Sequence, residues 1–122
     1  MTEEEQYERG RGVHKRIHGS VLTPGPRKEE TFSDIAMRNI YNEIWGREVM
    51  SVRDRRLMVI GALAGMTLTD PLEIHLRSAI DLKELTWEEI DEIAVALSPY
   101  IGAPKTTYVL RLIGKLKAEL AK

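Results

Sequence analysis

The chain contains no cysteine. That absence excludes disulfides, thiolate metal sites and any reaction that needs a thiol nucleophile or redox pair. A long apolar run is missing too. The most apolar segment, Leu57 to Met66, falls short of the roughly 20 residues that a bilayer-spanning helix takes, so no membrane is expected. The start, Met-Thr-Glu-Glu-Glu, is acidic with no apolar stretch behind it, so no signal peptide is expected and cytoplasmic residence follows by default. There is no concentrated basic face: the formal charge is −1, and the nearest basic run, Arg9 to Arg16, is broken by glycine, valine and histidine. Nucleic acid is therefore not an expected partner, and the run reads as a solvated N-terminal arm. Neither His14 nor His18 has a supporting acid at ligand spacing, so no metal site is expected. No alternating run of β-branched residues signals a strand.

What remains is a helical protein. Its 122 residues, 43% hydrophobic and 30% charged, suit one soluble globular domain with a core of its own. Thr31-x-x-Asp34, Ser51-x-x-Asp54, Asp70-Pro71-x-Glu73 and Thr86-x-x-Glu89 each place an N-cap oxygen three residues before an acid. Pro71 suits a first helical position. The pattern predicts six helices near residues 3–18, 32–46, 52–67, 71–83, 87–100 and 104–121, with a loop over Leu22 to Glu30. Residues 1–30 then form a helix and linker arm, and 31–122 the main domain. Gly102-Ala-Pro104 ends the fifth helix and begins the sixth.

Ile90, Ile93, Ala94, Leu97 and Ile101 form an amphipathic stripe on the fifth helix, as do Val109, Leu112, Ile113, Leu116 and Leu120 on the sixth. The third helix is apolar nearly all round, which predicts a central, enclosed element partly covered by another subunit. Its Gly61 and Gly65, one turn apart, would let a neighbouring helix backbone approach closely.

Three groups could carry chemistry. His75 lies between Leu72 and Ala79 on the apolar side of the fourth helix. It is either a core histidine satisfied by a hydrogen bond or an imidazole that titrates near neutral pH as an acid or base. Glu43 and Arg47, four residues apart, read as a surface ion pair or as site residues, with Trp45 an apolar wall and Tyr41 one turn earlier. Arg53, Arg55 and Arg56, with Asp54, open the third helix where arginine opposes the macrodipole. They would bind an anionic substrate or pair with acids of a neighbouring subunit.

In order, Glu43-Ile-Trp45-Gly-Arg47, Arg55 leading into the apolar helix, Glu73-Ile-His75-Leu-Arg77-Ser-Ala79, Thr86-Trp-Glu-Glu89-Ile90-Asp-Glu92 and Tyr100-Ile-Gly102-Ala-Pro104 resemble the carboxymuconolactone decarboxylase family from Phe32 to the C-terminus. The resemblance implies a compact all-α six-helix bundle of the alkylhydroperoxidase D-like type, assembled as a trimer or hexamer. It also implies cofactor-free decarboxylation of a small carboxylated lactone or related oxo-acid, as in aromatic catabolism. On it His75 is the acid/base, Glu43 positions or shuttles the proton, Arg47 and Arg55 hold carboxylates, and Trp45 and Tyr41 enclose the ring. The sister branch has a Cys-x-x-Cys where this chain has Leu68 and Pro71, so thiol peroxidase chemistry is impossible here. The chain also departs from the family at Arg47-Glu-Val-Met50, where Arg-Pro-Gly-Leu is usual. A second departure is Asp81-Leu-Lys-Glu84, where Asn-Asn-Gly is usual; it is expected to extend the fourth helix. A non-catalytic homo-oligomer that binds a small acidic metabolite or a protein partner is the alternative, and a purely structural assembly the third.

Overall fold

The computed structural model describes residues 1–120; residue 121, which the sequence places in the last helix, lies outside the described residues. Among the described residues the regular structure is all helical. Helix α1 is Glu3–His18; α2 begins as Phe32–Ala36 and continues without a break as π-helical Met37–Trp45; α3 is Val52–Gly65, α4 Thr69–Asp81, α5 Trp87–Ile101 and α6 Ala103–Leu120. None is long and apolar enough to cross a membrane. The chain forms two compact units, Met1–Arg55 and Arg56 onward. The expected boundary near residue 30 falls inside the first of them, because α1 packs along α2.

That packing corrects the reading of the N-terminal segment as a solvated arm. Tyr7, Gly10, Val13, His14, Ile17 and His18 are buried, a stripe at spacings of three and four that faces one side of a helix. The stripe is weakly apolar because glycine and two histidines occupy half of it, which is why hydrophobicity alone does not reveal it. Gly10 is required: a Cβ there would lie 1.9 Å from the Met37 carbonyl oxygen. A capping box holds the start of α1, with Glu5 N–H donating to Thr2 Oγ1 at 3.1 Å and Thr2 N–H to Glu5 Oε1 at 3.3 Å.

Arg27 ties the 22–30 segment to both helices. Its Nε donates to Asp34 Oδ1 at 2.8 Å, Nη1 to Glu4 at 2.8 Å and Nη2 to Glu3 at 3.2 Å. Asp34 is fully buried and also accepts from the Glu30 N–H and Arg38 Nε. The Arg27 bond, working against burial, and then Glu30 and Arg38 hold its carboxyl down at about 2.

The second unit is built on Ile60, Ala64, Leu72, Leu76, Ala79, Leu85, Ile90, Ala94, Val109, Leu112, Ile113 and Leu116. Helix α3 presents a buried stripe of Arg56, Ile60 and Ala64, four residues apart, but it is not enclosed within the chain. Met58 is 58% exposed, and Met66, just past the end of the helix, 64%. Nor do Gly61 and Gly65 admit a helix backbone; a Cβ at either would meet side chains of α5, Leu97 at 3.5 Å and Ile101 at 3.6 Å, in ordinary contact.

Helix α4 starts earlier than its acid-rich box suggests. Leu68 is the N-cap, with no side-chain cap, because Thr67 takes the left-handed conformation (φ 56°) and the Leu68 N–H reaches back to the Leu63 carbonyl at 3.0 Å. Asp70 and Pro71 therefore sit inside the first turn, where a missing N–H costs nothing. The end of α4 repeats the device and corrects the expected extension to residue 83. Lys83 turns left-handed (φ 55°), and the Glu84 N–H bonds the Ala79 carbonyl at 2.8 Å. That reversal aims Glu84 back at the unit.

Thr86 and Glu89 form the predicted capping box of α5. Pro99 lies inside that helix and cannot donate to the Val95 carbonyl four residues back. The Ser98 hydroxyl does so instead, at 2.7 Å. Gly102, at φ 88°, ends α5 as the sequence indicates.

Candidate functional site

The second unit carries a connected group of buried and half-buried polar side chains: Arg56 on α3, His75 on α4 and Glu84 in the turn after α4. Arg56 is fully buried. Its Nε and Nη2 pair with the two Glu84 carboxylate oxygens, the second at 3.4 Å, and its Nη1 lies 3.2 Å from His75 Nδ1. A buried guanidinium is tolerable only when neutralised and hydrogen-bonded, and the bidentate Glu84 supplies both.

This arrangement fixes the chemistry of the imidazole. A guanidinium can only donate, so His75 Nδ1 must accept, which leaves the ring proton on Nε2. Burial, and then the positive charge of Arg56, push the His75 pKa down to about 4. At neutral pH the ring is uncharged and in one tautomer. The expected acid/base that titrates near neutrality is thus corrected: His75 offers an N–H to a neighbouring acceptor instead of an imidazolium proton. The ring is half-buried, so the sealed core position that a purely structural role predicts is not what it occupies.

On the other side of α4, Arg77 pairs with Glu73 at 3.3 Å and with Glu119, and Lys115 reaches Glu73 at 2.8 Å. Lys115, ahead of Arg77, holds the Glu73 carboxyl below its usual range. These ions join α4 to α6 at its edge.

The other expected site residues belong to the first unit. Glu43 and Arg47 are both exposed, and among the described residues no ion pair joins them. The reason is local geometry. The π-helical turn is wider than an α-turn, so residues four apart no longer stack, and Arg47 already lies beyond the Gly46 C-cap. Arg47 does meet Arg55, but through its backbone: Arg55 Nη2 donates to the Arg47 carbonyl at 3.2 Å. Arg55 Nε is buried without a hydrogen-bond partner among the described residues. Trp45 is half-buried. Tyr41 faces α1: its ring lies edge-on to His14 with centroids 4.6 Å apart, and its hydroxyl is 3.4 Å from His18 Nε2.

Two open grooves flank that aromatic cluster, of about 600 and 580 Å³, and His14, Leu22, Thr23 and Pro24 line both. His75 lines neither.

Sequence reasoning singled out Arg55 and missed the roles of Arg56 and Glu84. A signal for Arg56 was present, since it stands four and eight residues before the apolar Ile60 and Ala64 and so shares their face. Glu84 has no such signal; its place depends on a left-handed lysine.

Among the described residues, the fold and the polar group together define an all-helical protein with a neutral histidine set against a carboxylate-paired arginine. No family model matches the chain, and no curated protein or solved structure matches it.

Proposed function

We propose that the chain is a cofactor-free carboxy-lyase of the carboxymuconolactone decarboxylase kind, acting on a small carboxylated lactone or related oxo-acid. The observation that carries this reading is the Glu84–Arg56–His75 chain, which holds a neutral imidazole in one tautomer on the apolar side of α4. Loss of carbon dioxide from such a substrate leaves the bonding electron pair on carbon, and the conjugated lactone carbonyl delocalises it. The enzyme must then stabilise an enolate-like oxygen and return a proton to carbon. A neutral histidine N–H suits the first task, because a donor that does not titrate in the working range stays a donor throughout.

The resemblance supplies the remaining roles: Glu43 would position or shuttle the proton, Arg47 and Arg55 hold carboxylates and Trp45 wall the ring, whereas Tyr41 is engaged with His14 and His18. The resemblance also supplies self-association as a trimer or hexamer. Support for that assembly lies in apolar side chains left open in the second unit, among them Met58, Met66, Val95 and Tyr100.

The test is turnover of 4-carboxymuconolactone and related carboxylated lactones, followed by loss of conjugated absorbance. Wild-type protein is expected to turn over at least one of them. His75→Gln, whose amide oxygen can still accept from Arg56, is expected to fold with a near-normal melting temperature and to lose turnover by about a hundredfold or more. Unchanged turnover in that variant, or a wild-type protein inert towards every such lactone, would overturn the reading.

A further inference from the structure

From the first unit we infer a second binding site, independent of the lyase reading, for a small neutral aromatic molecule that bears a hydroxyl group, a phenol. The groove of about 580 Å³ is lined mostly by apolar and aromatic side chains, including Tyr7, Leu22, Phe32, Met37 and Tyr41. That size and lining suit one small organic ligand. Of its two cations, Arg27 is committed to Asp34, Glu4 and Glu3, and Lys28, which also lines the groove, is exposed to solvent. A charged ligand therefore finds no buried counter-ion there, and a neutral one loses nothing.

Among the described residues, the unsatisfied buried side chain of the groove is His14. Its ring is only 3% exposed and lines the groove, and among the described residues its Nδ1 has no hydrogen-bond partner. Buried polar nitrogens are nearly always satisfied, so this one marks a place where a partner belongs. Burial lowers the pKa of the ring, so it is neutral and can accept from a hydroxyl. The His18 ring is 4.9 Å away centre to centre and faces the Tyr41 hydroxyl, and Tyr41 meets His14 with a ring edge. The π-helical segment brings Met37 and Tyr41 to this lining, and π-turns in helices recur at ligand sites.

The experiment is a titration of the full-length protein with p-cresol and, in parallel, with toluene. Histidine ring nitrogens are followed by long-range nitrogen–proton correlation spectroscopy. A saturable shift of His14 Nδ1 with p-cresol is expected, with toluene at least about tenfold weaker because it lacks the donor. His14→Phe keeps the aromatic packing and is expected to bring p-cresol down to the toluene affinity. The absence of a saturable shift, equal binding of toluene and p-cresol, or a folded His14→Phe variant that binds p-cresol as wild type does would each overturn the inference. The toluene comparison stands even should that variant fail to fold.

Discussion

The two units bury histidine in opposite ways. In the second, His75 is tied through Nδ1 to a guanidinium that a carboxylate neutralises, so position, tautomer and charge are all set. In the first, His14 is more deeply buried, yet its Nδ1 is unsatisfied within the described structure, and only ring contacts to His18 and Tyr41 hold it. Both rings are driven towards the neutral form by desolvation. The difference lies in what that neutrality is coupled to. A ring fixed by charge partners is prepared to act on something brought to it, whereas a ring held only by packing has unspent hydrogen-bonding capacity that a ligand can use.

The comparison is broken most severely by removing the carboxylate. Glu84→Ala takes a two-point carboxylate contact away from the fully buried Arg56, and a loss of about 3 kcal/mol or more is expected from urea unfolding. A loss below about 1 kcal/mol would mean the pair behaves as a surface bridge, and the claim of a rigidly charge-set histidine would fail. A smaller effect sharpens the account of the first unit. Gly10→Ala drives a Cβ into the Met37 carbonyl and is expected to cost about 2 kcal/mol, the scale of overpacking. On the opposite side of the same helix, a Cβ at Gly12 meets nothing within 4 Å. Gly12→Ala should therefore stabilise by up to about 1 kcal/mol through helix propensity. Equal responses at the two glycines, read from melting curves, would show that α1 is not packed on α2.

The same contrast explains what could be read in the residues. Helix starts at Thr31, Ser51 and Thr86 were legible because each cap is a local contact of a hydroxyl with an N–H three residues on. The start at Leu68 was hidden, since it depends on a left-handed Thr67 and not on a cap side chain. The π-helical character of Met37–Trp45 left no mark in its apolar pattern, and with it went the expected Glu43–Arg47 pair. The candidate site was half legible. His75 stands out by its place on an apolar helix face, but Glu84, 28 residues from its partner Arg56, is aimed by the left-handed turn at Lys83. Tyr41 was assigned to a substrate wall, whereas its ring is engaged with two histidines that hydrophobicity does not mark as core.

The central claim is that burial, and then Arg56, keep His75 neutral, and that the Arg56 contact leaves its proton on Nε2. Nitrogen-resolved titration of the His75 ring tests it directly. The account predicts the neutral, Nε2-protonated tautomer from about pH 8 down to about pH 5, with protonation only near a pKa of about 4. Because that folded value lies below the 6.5 of an unperturbed ring, the ring's contribution to stability is full above 6.5 and is lost as the pH falls towards 4. A ring that titrates near 6.5, or one that carries its proton on Nδ1, would contradict the account.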